Sequence, residues 1–73
     1  MYNILKSYEN KPSKNTVDEK NKTLEEALQY LKDTARMWKD NGGAVIELTN
    51  ETLIVEEANG SETITFSIVE IDE

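Results

Sequence analysis

The sequence predicts an α+β fold, with a single α-helix packed on one face of an antiparallel β-meander in β-α-β-β-β order, two layers deep. Three observations carry this. A central run repeats its apolar residues at helical spacing and ends on glycine, and the residues after it switch to a period of two. Two turns placed independently in that second region then bring its large apolar residues to one side of one sheet.

Residues 1–8 alternate loosely and are assigned as a strand. Residues 9–22, ENKPSKNTVDEKNK, are polar, contain the only proline, and read as a flexible loop. The helix spans 24–40. Thr23 stands three residues before Glu26, a capping-box spacing. Leu24, Leu28, Leu31, Ala35 and Trp38 form one apolar stripe with Ala27 beside it. Asn41-Gly42-Gly43 stops the helix, because glycine accepts the left-handed conformation of a helix C-cap.

Strands follow at 44–49, 52–58 and 61–71. Asn59-Gly60 predicts a two-residue type I′ hairpin, and Asn50-Glu51 a second two-residue turn. Together they pair Leu48 with Leu53, Ile46 with Val55, Val55 with Ile64, and Leu53 with Phe66. Paired residues share a face, so Ile46, Leu48, Leu53, Val55, Ile64, Phe66 and Ile68 gather beneath the helix. In this register residues 68–71 overrun their neighbour. Ile68, Val69 and Ile71 would form an apolar edge, covered by the N-terminal strand or by a second copy in a dimer. The N-terminal strand is the preferred cover.

Seventy-three residues make one small domain with little surface to bury. The chain has no cysteine and no histidine. That excludes disulfides, thiolate zinc sites and any Ser-His-Asp or Cys-His nucleophile arrangement. No catalytic residue, metal or cofactor is expected. The nearest thing to an acid–base pair is Glu57 and Glu62, which face each other across the second hairpin. At a hairpin mouth such a pair is expected to splay into solvent or be neutralised by a neighbour. No apolar run approaches the roughly 20 residues that cross a bilayer, and the N-terminus lacks a signal-peptide pattern. A cytoplasmic location follows as an expectation. Richness in Asn, Lys, Ile and Glu suggests a low-GC bacterium or its phage, which would place the protein in the host cytoplasm.

The net charge of −7 argues against nonspecific binding to nucleic acid or anionic membrane. Its distribution is uneven, at +2 over residues 1–22, −1 over 23–42 and −8 over 43–73. One helix can cover only one side of the sheet, so the other side meets water or a partner. Val45, Glu47, Ile54, Glu56, Thr65, Val69 and Ile71 belong to that bare side. From it and the adjoining turns, Glu47, Glu51, Ile54, Glu56, Glu62 and Thr65 are the candidate partner-binding residues. The expected partner is a protein with a basic surface. The fullest form of this reading is a non-catalytic, phage-type inhibitor occupying the nucleic-acid-binding groove of a host protein. Glutamates two apart on a strand stand roughly 6.6 Å apart, against about one charge per 1.7 Å along duplex DNA, so any mimicry is confined to a short footprint. The alternative is a self-associating structural or regulatory domain that dimerises by edge-strand pairing. On the helix, Lys32, Arg36 and Lys39 flank the stripe and are expected to reach toward Glu57, Glu62 or Glu70. Tyr30, Thr34 and Met37 flank it on the other side, covering the core edge or forming a contact surface.

Overall fold

In the computed structural model, which describes residues 1–71, five antiparallel strands form one sheet and a single α-helix lies across one face. The elements are β1 (Tyr2–Tyr8), β2 (Thr16–Lys22), α1 (Leu24–Asp40), β3 (Ala44–Leu48), β4 (Thr52–Glu56) and β5 (Thr63–Glu70). The strand order across the sheet is β2-β1-β5-β4-β3. The two-layer α+β architecture and the order of the anticipated elements stand, with one strand added ahead of the helix.

That strand, β2, lies inside the stretch expected to be a flexible loop. Only its first part is a connection, tightened by a 3₁₀ turn over Pro12–Lys14, after which Asn15 accepts the Tyr8 backbone N–H through Oδ1 at 2.8 Å. Residues 16–22 then pair antiparallel with β1. An edge strand has one neighbour and tolerates charge, which is why Thr16-Val-Asp-Glu-Lys-Asn-Lys22 shows no apolar alternation yet still pairs. The pairing is irregular between Tyr2 and Leu5. At the end of β2 Asn21 takes a positive φ of 56°, and its N–H donates to Asn3 Oδ1.

The helix begins and ends where its sequence says. The Thr23 hydroxyl accepts from the Glu26 N–H at 3.2 Å, and the Glu26 carboxylate accepts from the Thr23 N–H at 2.9 Å. Those reciprocal bonds hold the Glu26 carboxyl below its ordinary range. Ala27, Leu31 and Ala35 are buried against Ile4, Leu53, Val55, Ile64 and Phe66. Trp38 closes the far end: its indole N–H donates to the Glu56 carbonyl at 2.9 Å and its ring meets Phe66 edge-on.

In the meander the pairs Leu48–Leu53, Leu53–Phe66 and Val55–Ile64 occur as expected. Two details differ. A bulge between Val45 and Glu47 makes Ile46 the extra residue, so Val45 pairs with Val55 and packs on the core, leaving Ile46 55 % exposed. The Asn59-Gly60 turn is longer than a type I′ loop. Glu57 and Glu62 close it, Gly60 alone has positive φ, and the Gly60 N–H donates to the Glu57 carbonyl.

The dimer edge proposed for Ile68, Val69 and Ile71 is already occupied. β1 runs alongside β5, pairing Ile4 with Ile68 and Asn3 with Val69, and the Ile71 N–H donates to the Met1 carbonyl at 2.9 Å. The N-terminal strand is thus the cover, as preferred from the sequence, so β5 becomes the central strand of the sheet and the free edges are β2 and β3.

Candidate protein-binding face

No element of the described chain covers the side of the sheet opposite α1. Alternation along each strand, set by the buried residues of the other side, fixes which side chains it carries. Two cross-strand rows run through its middle. One joins Val17, Leu5, Ser67 and Thr52, and the other joins Ser7, Thr65, Ile54 and Glu47. Val69 opposite Asn3 extends the surface at one end, and Thr63, Glu56 and Ala44 complete it at the other. Leu5, Ile54 and Val69 are thus aliphatic residues set among threonine and serine. The acids Glu47 and Glu56 stand on the β3–β4 side, away from β2.

The expected binding residues separate cleanly. Glu47, Ile54 and Thr65 are direct neighbours in one row, with Glu56 one row away. Glu51 sits in the tight turn between β3 and β4, where the Thr49 hydroxyl accepts from the Glu51 and Thr52 N–H groups at 3.1 and 3.0 Å. Glu62 does not belong with them. It falls on the helix side of the sheet, 4 % exposed, and its Oε1 accepts the Asn10 N–H at 2.9 Å. Two residues on from Glu62, Ile64 enters the core, and period two places both on the same side. Glu62 therefore ties the β1–β2 connection to the β4–β5 loop. Its expected counterpart Glu57 instead accepts from the Ser61 hydroxyl at 3.1 Å, so the two carboxylates have separate partners.

Val45 leaves this face for the core because of the bulge, and Leu5 and Val17 join it. The signal for Leu5 was present in the alternation of residues 2–8. Val17 had none, since a lone valine in a polar stretch has no period.

On the helix flanks, Thr34 is buried and Tyr30 is half-buried, its hydroxyl donating to the Asp18 carboxylate of β2. Burial first, and then that hydrogen bond and the Asp18 charge, push the Tyr30 hydroxyl up to about 12. Met37 remains exposed and lines, with Trp38, Gly43, Glu57 and Ala58, an open groove of about 390 Å³. Lys32, Arg36 and Lys39 are all exposed.

Among the described residues no group of three or more Asp or Glu side chains is placed to hold a metal ion, and no helix is long and apolar enough to cross a membrane. Comparison of the chain with protein-family models, curated proteins and solved structures finds no match.

Proposed function

We propose that this chain is a non-catalytic binding module that engages a partner protein through its uncovered sheet face. One observation supports the reading above others: Ile54, Leu5 and Val69 lie exposed or half-exposed within a face that nothing in the described chain covers. An apolar centre with a polar border is the anatomy of a protein interface. Glu47 and Glu56 bias one side of that border toward a basic partner. A short positively charged groove, of the kind nucleic-acid-handling enzymes present, suits this surface, and inhibition of such an enzyme is the function we put forward.

The test is capture of partners from a lysate of the native host at low salt, with elution at high salt, using the wild-type chain, Glu47→Lys/Glu56→Lys and Ile54→Asp. The reading expects one partner set that both variants lose. If charge reversal at Glu47 and Glu56 leaves capture unchanged, the acidic border has no role in recognition.

Self-association is the second reading, and it moves to a different strand. With β5 internal, the apolar edge left to a second copy is β3, where Ile46 and Leu48 are exposed and no lysine or proline guards the strand. Sedimentation at high micromolar concentration tests it, and a single monomeric boundary refutes it.

A further inference from the structure

On the helix side of the sheet, where α1 begins, the core is incompletely roofed. Leu24 and Leu28 of the helix, Tyr2 of β1 and Ile68 of β5 line an open trough of about 470 Å³, whose border is Asn50, Glu51 and Glu70. Leu24 is 46 % exposed although it belongs to the stripe that packs the core. The gap has a geometric origin. The helix starts over the β1–β5 pair and finishes, at Trp38, against Glu56 and Gly43 on the β3–β4 side. Its last turn is packed by Gly43 and Glu56, while its first turn faces the open trough.

The lining holds two carboxylates and no base. Lys22, the neighbour of Tyr2 in β2, exerts its charge on Glu26 at the helix cap. Glu70 also acts on the trough floor, since its charge is the main cause that raises the Tyr2 hydroxyl above its ordinary value.

We infer that this trough is a second docking site, which takes a short segment of a partner protein bearing aliphatic or aromatic anchors flanked by lysine or arginine. The apolar floor takes the anchors, and Glu51 and Glu70 take the flanking cations. Charge complementarity selects this occupant. A second copy of the chain brings a net charge of −7 against an acidic border, and most of its one net-positive stretch, residues 1–22, is held in β1 and β2. A small molecule would be left largely uncovered in a trough this open. Anionic ligands are repelled. The site lies on the opposite side of the sheet from Ile54 and Thr65, so it stands or falls separately from the open face.

The experiment is an amide NMR titration of the 73-residue chain with the blocked peptide Lys-Lys-Leu-Phe-Lys-Lys, and with the same peptide carrying serine for leucine and phenylalanine. The expected result is a saturable shift of the Leu24, Leu28, Glu51, Ile68 and Glu70 amides. Affinity falls at least tenfold with the serine peptide and at least tenfold against Glu51→Lys/Glu70→Lys. Both glutamates are exposed, and Leu24→Ser supplies the same comparison should the double variant lose its folded spectrum. Ile54→Asp, on the other side of the sheet, leaves the titration unchanged. The inference is overturned by no shift at millimolar peptide, by indifference to either change, or by shifts centred on Ile54 and Thr65. It is equally overturned if the trough amides move with protein concentration alone, which would make a second copy the occupant.

Discussion

Replacing Gly43 with alanine tests the packing at the closed end of the helix. Gly43 does not have positive φ, so alanine is compatible with its backbone. Space is the obstacle. A Cβ at this position would overlap the Cδ1 and Nε1 atoms of Trp38 and stand 2.9 Å from the Glu56 carbonyl oxygen. Main chain surrounds one side, so the indole must move. Moving it breaks the bond to the Glu56 carbonyl, worth about 1 kcal/mol. It also breaks the edge-on contact with Phe66, whose centroid is 6.3 Å away, worth about 0.5–1.5 kcal/mol more. Adding some re-exposure of the ring, G43A should cost about 2–4 kcal/mol, against a total of about 4–11 kcal/mol for a domain of this length. At about 4–8 °C per kcal/mol the melting temperature should fall by at least about 8 °C. Urea denaturation followed by circular dichroism measures the loss. Emission from Trp38, the sole tryptophan, reports the displaced ring by a shift to longer wavelength. The contrast is Gly42→Ala, where φ is +89° and the new Cβ meets only Ala58 at 3.7 Å. Its cost of about 1–2 kcal/mol should come from backbone strain, without a change in emission. In a Trp38→Phe background the G43A penalty should shrink. A G43A protein within 0.5 kcal/mol of wild type, with unaltered emission, refutes the reasoning.

Three further outcomes follow from contacts elsewhere. The fold favours neutral Tyr30, so its contribution is complete below the unfolded value of 10.0 and is lost as pH climbs to about 12. The site is partly wet, so the loss is about 1 kcal/mol, and Tyr30→Phe should flatten the stability profile across that window. Glu62→Ala leaves the Asn10 N–H without its acceptor and should cost about 1–3 kcal/mol; Glu62→Gln should cost less, and amide exchange at Asn10 should accelerate in the alanine variant alone. Thr23→Ala removes one half of the capping box, for about 0.5–2 kcal/mol by thermal melting. The other half depends on the Glu26 carboxylate, whose lowered value means that the bond is intact at neutral pH. It is lost only as pH falls below the ordinary carboxylate range.

The parts of the fold legible in the sequence were those with redundant local signals. The helix carried a cap, a stripe and a glycine stop, all in agreement, and its observed limits are the expected ones. The pairings Leu53–Phe66 and Val55–Ile64 were legible because an apolar alternation fixes register once a turn is placed. What stayed hidden depended on distant partners. β2 is a strand because β1 offers it an edge, a fact stored in Tyr2–Tyr8 and not in the composition of 16–22. The bulge that exchanges Ile46 for Val45 is a property of the β3–β4 pair, invisible to a strict period of two. Glu62 was misplaced for a related reason. As the residue just before β5 it looked like loop-end charge, whereas its parity with Ile64 puts it inside, where the Asn10 N–H awaits it. The candidate face was legible in Glu47, Ile54, Glu56 and Thr65 for the same reason the core was, because each side of a strand is the complement of the other.

The position of β5 between β1 and β4 sets the order in which this molecule can become whole. Two hairpins, β1 with β2 and β3 with β4, are available while the chain is still emerging from the ribosome, yet they share no hydrogen bond until Thr63–Glu70 slides between them. The fifth strand is therefore the keystone. A chain stopped before residue 63 would hold two unsheathed half-sheets rather than a smaller version of the domain, and the pairing of Tyr2 with Glu70 is the kind of non-local contact that slows folding.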